Sequence, residues 1–315
     1  IAEVTHLYAD IAPVVPMEPV LADEPFDHED YIFQVKWDGV RILAYSGKDT
    51  LKLFNRRQKE RTREFPEIIE SLAYLPAGTV LDGEAISLGP DGRPSFFLAL
   101  KRDQTRNAQM IAQLVKAHPV SYMVFDMLYL EGEGLVEKPL SERQRLLGEV
   151  VKESAAVHLV DSIAANGRAL FEAVSREGME GIVAKDARSR YLIGQKSPLW
   201  KKVKAWREID AVAGGWLKRE GQLRSLLVGI PDEKGLRYIG SVSSGLTGEQ
   251  RSMLRAYFEA GGEHSSPFLN PPDKIGVKWA EPGIEVRVRY LEWSSDGMLR
   301  NPAVVDMRNR EGWVL

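Results

Sequence analysis

The chain has no cysteine and only five histidines among its 315 residues. Without cysteine there is no structural disulfide and no cysteine-based zinc site, and the scattered histidines offer no metal-ligand spacing. The absence of cysteine also favours a reducing compartment, so we expect a cytoplasmic protein.

Long apolar runs and a strong net charge are missing as well. No apolar stretch approaches the length of a membrane span, and no charged-then-apolar leader stands at the start. The first residue is isoleucine rather than methionine, which is compatible with a domain excised from a longer protein. A net charge of −3 argues against a uniformly basic surface, so contacts with nucleic acid must come from local clusters.

Two basic clusters are present in the sequence. One runs from Lys52 to Arg63 and the other from Arg188 to Arg207. Each could neutralise phosphates at a strongly salt-dependent affinity. Taken alone, either cluster is equally compatible with a solvated protein face.

The length of 315 residues exceeds the size at which a single hydrophobic core usually stops growing, which predicts two domains. The first two-thirds mixes strand patterns with short helices. After Ala205 the pattern is strand-rich, with one helix expected over 247–260. We therefore predict domains at 1–204 and 205–315, and the five or so strands of the second domain favour a small closed barrel.

The string Lys36-Trp37-Asp38-Gly39-Val40-Arg41 has the residue types of a covalent nucleotide-transfer site. A lysine amine can act as a nucleophile, and a sharp Asp-Gly turn returns the arginine to the same pocket. Asp-Gly is also the commonest hairpin turn, so the string alone does not establish catalysis. We expect strands at 31–36, 41–45 and 50–54 to form a meander around it.

Further strings follow in a fixed order: Leu81-Asp82-Gly83-Glu84, Val124-Phe125-Asp126-Met127-Leu128-Tyr129, Glu180-Gly181-Ile182-Val183-Ala184-Lys185 and Trp200-Lys201-Lys202-Val203-Lys204. This ordered set resembles the ATP-dependent DNA ligases of the covalent nucleotidyltransferase superfamily, most closely the ligase domain of bacterial end-joining ligases. The resemblance covers about Met17 to Arg308. NAD-dependent ligases carry a four-cysteine zinc module, so the absence of cysteine disfavours that branch.

The resemblance implies an α+β fold, in which an adenylation (nucleotidyltransferase) domain of antiparallel sheets with helices precedes an OB-fold β-barrel domain. It implies an enzyme that seals 5′-phosphate/3′-hydroxyl breaks in duplex DNA through a lysyl-AMP and then a DNA-adenylate, in end-joining repair. The barrel domain is expected to close over bound ATP. The implied cofactors are ATP and Mg²⁺ or Mn²⁺. The implied partners are nicked or broken duplex DNA and a Ku-like end-binding protein or fused polymerase domain, for a monomeric, nucleoid-associated enzyme.

By the same matching, Lys36 is the nucleophile that takes AMP from ATP. Lys202 and Lys204 lie beside the nucleotide phosphate, and their alternating spacing directs both side chains to one face of a strand. Lys201 is expected to point the other way. The positive charge of the lysine pair favours the neutral, nucleophilic form of Lys36, although the pair alone would also fit a solvated edge strand.

The resemblance assigns further residues to the nucleotide. Arg41 contacts the ribose or the reacting end, and Arg56 binds the 5′-phosphate or the AMP phosphate, with the adjacent Arg57 as a rival. Phe125 stacks on adenine, although a phenylalanine in this strand pattern also fits a core position. Glu84 serves the ribose hydroxyls, although a glutamate after Asp-Gly is often an exposed hairpin residue.

Two carboxylates, Glu180 and Glu84, are the predicted metal ligands. Carboxylate oxygens suit magnesium, which would bridge phosphate oxygens and offset their charge. Asp38 is expected to help position the turn after Lys36.

The end of the chain departs from the ligase pattern. Ligases of this class typically finish with Arg-x-Asp-Lys, whereas this chain reads Arg308-Asn309-Arg310-Glu311. Arg308 keeps the expected register and is assigned to pyrophosphate, and we expect Arg310 to stand in for the missing lysine. Self-adenylation is therefore expected to proceed, but more slowly.

Two alternatives stay open at this point. RNA ligases and capping guanylyltransferases share the lysine string and the two-domain plan, although the segment over 65–96 follows the DNA ligase pattern. A catalytically impaired DNA-end-binding module would keep the fold without turnover. The altered C-terminal string favours that alternative, whereas intact Lys36 and Glu180 speak against it.

Overall fold

The structure is a computed structural model that describes residues 11–262, 264–294 and 296–309. Contacts between Cα atoms divide the chain into two compact units, Ile1–Ala205 (unit 1) and Trp206–Leu315 (unit 2). No helix among the described residues is both long enough and apolar enough to cross a membrane.

Unit 1 contains two sheets, named here after the residues they carry. The lysine sheet has the strand order β1 (Glu18–Ala22), β11 (Lys196–Lys204), β10 (Gly181–Asp186), β2 (His28–Val35) and β9 (Ile163–Ala165). The arginine sheet has the order β4 (Leu51–Asn55), β3 (Val40–Ser46), β5 (Thr79–Ser87), β6 (Val120–Leu130) and β7 (Glu133–Gly134), and β8 (Val157–Leu159) pairs with β6. The helices of unit 1 are α1 (Pro66–Leu72), α2 (Phe96–Gln104), α3 (Ala108–Ala117), α4 (Leu140–Val150) and α5 (Gly167–Arg176).

Residues 36–39 carry the chain from β2 to β3, which belong to different sheets. The predicted meander is therefore wrong: β3 pairs with β4, but β2 pairs with β10. The Lys36 amide donates to the Gly181 carbonyl (2.9 Å) and so extends that pairing. Gly39 does not have a positive φ. A Cβ at Gly39 would lie 2.3 Å from the Ala85 carbonyl oxygen, so close packing rather than a hairpin turn requires glycine.

The core of unit 1 determines which sheet faces remain for a site. Helix α5 packs against one face of the lysine sheet, where Phe33, Ile182 and Val203 are buried. Full burial of side chains of this size contributes about 1.5–3 kcal/mol each. Because side chains alternate along a strand, the neighbouring residues of β2, β10 and β11 lie on the opposite face. A second cluster packs α1 and α4 against the arginine sheet.

Unit 2 is an antiparallel sheet of order β14 (Gly235–Val242), β13 (Gln222–Asp232), β12 (Arg207–Arg219), β15 (Val277–Tyr290) and β16 (Ala303–Asn309). Ser244, just after β14, forms a parallel bridge with Ala303, and this bridge closes the sheet into a barrel. Helix α6 (Gly248–Ala260) starts with a capping box between Thr247 and Gln250. It packs Leu254 and Phe258 into the barrel core, where Phe258 stacks on Trp216.

Candidate active site

A cavity of about 890 Å³ in unit 1 is lined from both sheets. The lining includes the following residues predicted from the sequence: Lys36, Arg41, Arg56, Arg57, Glu84, Phe125 and Lys202. Glu180 and Lys204 adjoin Lys36, because Glu180 forms an ion pair with Lys36 and lies 3.8 Å from the Lys204 ammonium. The two sheets thus bring together residues that are far apart in the sequence.

The cavity floor is one face of the lysine sheet. Gln34, Val183 and Lys202 lie side by side on β2, β10 and β11 in the strand register. Lys204 shares the face of Lys202, because successive strand residues alternate. Lys201 points to the opposite face, where its ammonium lies 5.0 Å from the centre of the Phe26 ring.

Glu180 lies between the lysines of the site. It immediately precedes β10, and its side chain is only 6% exposed. Gly181 follows with a φ of 135°, and a Cβ there would lie 2.0 Å from the Val203 carbonyl oxygen. Only glycine can therefore bring the chain close enough to β11 to hold the Glu180 carboxylate beside Lys36 and Lys204.

The Lys202 ammonium is partly desolvated and faces another cation. Burial and the charge of Lys36 lower the pKa of Lys202, whereas the negative charges of Glu18 and Glu180 oppose this shift. Mutual repulsion between Lys36 and Lys202 means that a phosphate placed between them is favoured.

Arg41 is held by a buried carboxylate on the arginine sheet. Its guanidinium donates to both oxygens of Asp82, at 2.8 and 2.6 Å, and Tyr191 donates to the same carboxylate at 2.6 Å. Asp82 is completely buried. In the string Leu81-Asp82-Gly83-Glu84 only Glu84 was predicted to be a site residue. Asp82 could have been found from its spacing, because it lies two residues before Glu84 on β5 and therefore on the same face.

Glu84 has an unusual charge state for a carboxyl group. Burial raises the pKa of Glu84 to about 8, and the positive charges of Lys36 and Arg41 offset only part of this shift. The negative charges of Glu180 and Asp38 raise the pKa of Glu84 further. Near neutral pH Glu84 is therefore mostly protonated and can donate a hydrogen bond.

Phe125 and Trp200 enclose a lysine that sequence reasoning missed. The Lys185 ammonium lies 4.2 Å from the Phe125 ring centre and 4.3 Å from that of Trp200, and the residue is 2% exposed. Its Nζ has no hydrogen-bond partner among the described residues, and burial lowers the pKa of Lys185 to about 7. The sequence could have indicated Lys185, because it lies two residues after Val183 on β10 and therefore on the same face of the strand.

The turn after β4 forms the cationic wall of the cavity. The Asn55 side-chain oxygen accepts from the backbone amides of Arg57 (3.1 Å) and Lys59 (3.2 Å). Arg56 forms an ion pair with Glu18 (2.5 Å). Arg57 and Lys59 line the cavity as well, so both adjacent arginines have access to it.

Not every member of the two basic clusters is available to phosphates. Arg61 is buried and donates to Asp103 at 2.7 Å, so it stabilises the fold. In the second cluster, Arg188 pairs with Asp30 at 2.7 Å and Arg190 pairs with a glutamate at 2.9 Å, both on exposed surface. These three arginines are therefore better described as structural or solvent-exposed cations than as phosphate ligands.

The carboxylates of the site suit magnesium only together with a ligand. Within the described ranges there is no group of three or more histidine, aspartate or glutamate side chains arranged to hold a metal ion. Mg²⁺ is commonly held by one or two carboxylates plus substrate phosphates, so Glu180, beside Lys36 and Lys204, would fit this ion together with a phosphate ligand. The protonated state favoured at Glu84 suits a metal less well.

Arg308 lies on β16 of unit 2, where its guanidinium is 3.9 Å from the Asp306 carboxylate. Its side chain is exposed. Arg310, the predicted substitute for the missing lysine, lies outside the described residues, and its role stays a prediction.

Comparisons with known proteins identify the family. Residues 18–204 match the family described as ATP dependent DNA ligase domain, and residues 219–311 match the ATP dependent DNA ligase C terminal region. The multifunctional non-homologous end joining protein LigD of Mycolicibacterium smegmatis is 32% identical over 302 residues, covering 93% of this chain and 38% of that protein. The chain thus spans little more than a third of that relative.

Solved structures agree with the sequence matches. A mycobacterial DNA ligase D complexed with ATP and MES is 28% identical, with a TM-score of 0.55, over 96% of this chain and 98% of that chain. The ligase domain of Mycobacterium tuberculosis LigD is 29% identical, with a TM-score of 0.54, over 95% and 96% of the two chains. These likenesses confirm the predicted α+β fold with an OB-fold second domain, and the predicted enzyme class. The chain belongs to the ATP-dependent DNA ligase family.

Proposed function

We propose that this chain seals 5′-phosphate/3′-hydroxyl breaks in duplex DNA through a lysyl-AMP on Lys36. The observation that carries the proposal is the placement of Lys36 beside Glu180, in a cavity lined by Lys202, Arg41 and Phe125. This set provides a nucleophile, a proton acceptor, cations for phosphate oxygens and an aromatic surface for a base.

In the first step the Lys36 nitrogen attacks the α-phosphorus of ATP, a P–N bond forms and the bond to pyrophosphate breaks. The amine must first lose a proton, and Glu180 already accepts the hydrogen bond from its ammonium. Lys202 offsets charge on the phosphate oxygens. Lys204, whose ammonium lies 3.8 Å from the Glu180 carboxylate, also offsets charge on the phosphate oxygens.

The adenosine is expected to occupy the other end of the cavity. Phe125 from the arginine sheet and Val183 from the lysine sheet both line it, which supports a base held between an aromatic ring and an aliphatic side chain. The carboxyl group of Glu84 is suited to a ribose hydroxyl, because its protonated form can donate a hydrogen bond. Arg41, fixed by Asp82, lies beneath Phe125 at 5.0 Å from the ring centre and supports that wall.

A bound Mg²⁺ ion would neutralise phosphate charge, with Glu180 as its protein ligand. In the second and third steps AMP passes to the 5′-phosphate of the break, and the 3′-hydroxyl displaces it. Arg56 and Arg57 line the cavity, which supports a role for them in binding these phosphates. The end-joining names of the relatives support a role in double-strand break repair, with an end-binding protein as partner.

The test is incubation with α-labelled ATP and Mg²⁺, followed by nicked duplex DNA. We expect label on the denatured protein, lost as the joined strand appears, and no label with Lys36→Ala. Lys202→Ala should slow labelling by about a hundredfold or more, as loss of a group that stabilises transition-state charge does. Lys201→Ala is the matched control and should label at a rate close to wild type, because Lys201 faces away from the cavity.

Label from GTP in preference to ATP would move the assignment to the capping enzymes. Binding of DNA ends without any label would favour the impaired end-binding module. Pre-adenylated nicked DNA then separates the steps, since joining of that substrate alone locates the defect in self-adenylation.

A further inference from the structure

Glu18 is an acidic residue in the part of the cavity that the proposed function gives to phosphate. It is the first residue of β1, and its backbone amide donates to the Gln195 carbonyl at 2.9 Å. Its side chain lines the cavity and pairs with Arg56 at 2.5 Å. A carboxylate at this place is unexpected, because a phosphate would be repelled by it.

The exposures of the two partners differ strongly. The Glu18 side chain is 17% exposed, whereas that of Arg56 is 61% exposed. The carboxylate is thus fixed at the edge of the lysine sheet, and the guanidinium reaches to it from the turn after β4. Arg56 has this one ion pair among the described residues and its own side chain is mostly exposed, so it can change partner at little cost.

Glu18 also acts on a second phosphate-binding cation. Its negative charge raises the pKa of Lys202, in opposition to burial and to the charge of Lys36. Glu18 therefore pairs with Arg56 and also offsets the repulsion between Lys202 and Lys36. A bound phosphate would supply the same negative charge and would compete with Glu18 for Arg56.

We propose that Glu18 is a built-in counter-ion that occupies Arg56 in the empty site and is displaced from it by a ligand phosphate. Glu18 is thus a positioning residue that weakens phosphate binding and speeds phosphate release. The inference rests on the proposed function for the role of Arg56. The displacing group is an anionic phosphate, either the 5′-terminal phosphate of DNA or a phosphate of the nucleotide.

The experiment compares wild type with Glu18→Gln, which keeps the shape of the side chain and removes its charge. Binding of fluorescent nicked DNA bearing a 5′-phosphate or a 5′-hydroxyl is measured by anisotropy without divalent ions, so that no turnover occurs. ATP binding is measured separately without DNA. Glu24→Gln is the matched control, since Glu24 is exposed on the following loop and its change alters net charge equally. Thermal melting of each variant verifies folding.

We expect Glu18→Gln to bind its phosphate ligand about two- to fivefold more tightly, as loss of an exposed competing ion pair allows. A gain with the 5′-phosphate nick alone assigns the site to DNA, and a gain with ATP alone assigns it to the nucleotide. In an Arg56→Ala background the gain from Glu18→Gln should be clearly smaller, because the competition for Arg56 is then absent and only the effect of Glu18 on Lys202 and on the phosphate is left. An equal gain in both backgrounds would remove Arg56 from the inference.

Weaker or unchanged binding of both ligands by folded Glu18→Gln would overturn the inference. Weaker binding would mean that the Glu18 carboxylate helps Arg56 to bind phosphate instead of competing for it. A gain equal to that of Glu24→Gln would overturn it too. These readouts need no covalent step, so they are distinct from a failure of Lys36 to take label.

Discussion

Replacing Lys185 with methionine should change how the stability of unit 1 depends on pH. Methionine has a similar length and no charge, so it suits the site between Phe125 and Trp200. In the folded chain burial lowers the pKa of Lys185 to about 7, whereas an unfolded lysine titrates near 10.4. Between these values the unfolded state binds more protons, so the contribution of Lys185 makes stability rise with pH above about 7.

The magnitude follows from the width of that window. One pKa unit corresponds to about 1.4 kcal/mol, so the interval from pH 7 to 9 gives at most about 2.7 kcal/mol. The ring faces of Phe125 and Trp200 favour the ammonium form, which narrows the window. We therefore expect the wild type to gain on the order of 1–2 kcal/mol relative to Lys185→Met over this interval.

Urea unfolding at pH 7, 8 and 9 measures the effect as a difference between the two proteins. Other titrating groups, including Glu84, are common to both and cancel to first order. Lys201→Met is the control, since the Lys201 side chain faces away from the cavity. Parallel pH profiles for wild type and Lys185→Met would refute the reasoning and show that the ammonium stays charged in its aromatic enclosure.

The remaining predictions concern other groups of the site and the end of the chain. Asp82→Asn should destabilise unit 1 by about 3–5 kcal/mol in thermal or urea unfolding, because Arg41 loses the partner of a buried pair; a loss below about 1 kcal/mol would contradict this. The pKa of Glu84 is raised to about 8, so the stability of wild type relative to Glu84→Gln should fall as pH rises from about 5 to 8 in urea unfolding; parallel pH profiles would show that Glu84 is ionised throughout. Arg308→Ala combined with Arg310→Ala should slow single-turnover self-adenylation while leaving joining of pre-adenylated DNA intact, and unimpaired adenylation would remove both residues from the first step.

Local patterns in the sequence predict the strands well but not how they pair. The strand that precedes Lys36 and the strand that carries Arg41 were predicted near their actual positions, from alternation and from the Asp-Gly break. The meander was wrong because β2 pairs with β10, whose residues lie far along the chain. An Asp-Gly string is compatible with a hairpin and with a crossing between sheets, and only the packing of Gly39 against Ala85 distinguishes the two.

Helix α2 was not predicted, for a different reason. Its buried residues include Arg102 and Asp103, so the inward face is charged and the apolar period that marks a helix is weak. The two terminal nitrogens of Arg102 donate to the Glu67 carboxylate at 2.8 Å and to the Glu64 carbonyl at 2.8 Å. Such partners become visible only in three dimensions.

The same limit separates the site residues found in the sequence from those that were missed. Lys36, Glu180 and the alternating Lys202 and Lys204 follow from ordered strings and strand period. Glu18 carries no motif, and its role depends on meeting a turn that begins more than thirty residues later. A carboxylate such as Glu18, which lies outside any motif and pairs with a cation far along the chain, is therefore easily overlooked in a sequence.

The phosphate end of this cavity illustrates why such carboxylates are present. Lys36 pairs with Glu180, Arg41 with Asp82 and Arg56 with Glu18, so each of these cations has an acidic neighbour. Unpaired, this many close cations would repel one another and weaken the fold. The pairs differ in exposure, and that difference sets which of them a ligand can exchange: Asp82 is fully buried and keeps its arginine, whereas Arg56 is largely exposed and can leave its partner. Phosphate affinity in this site is therefore a difference between two sets of ion pairs, and increasing it requires weakening the exposed pair rather than adding a cation.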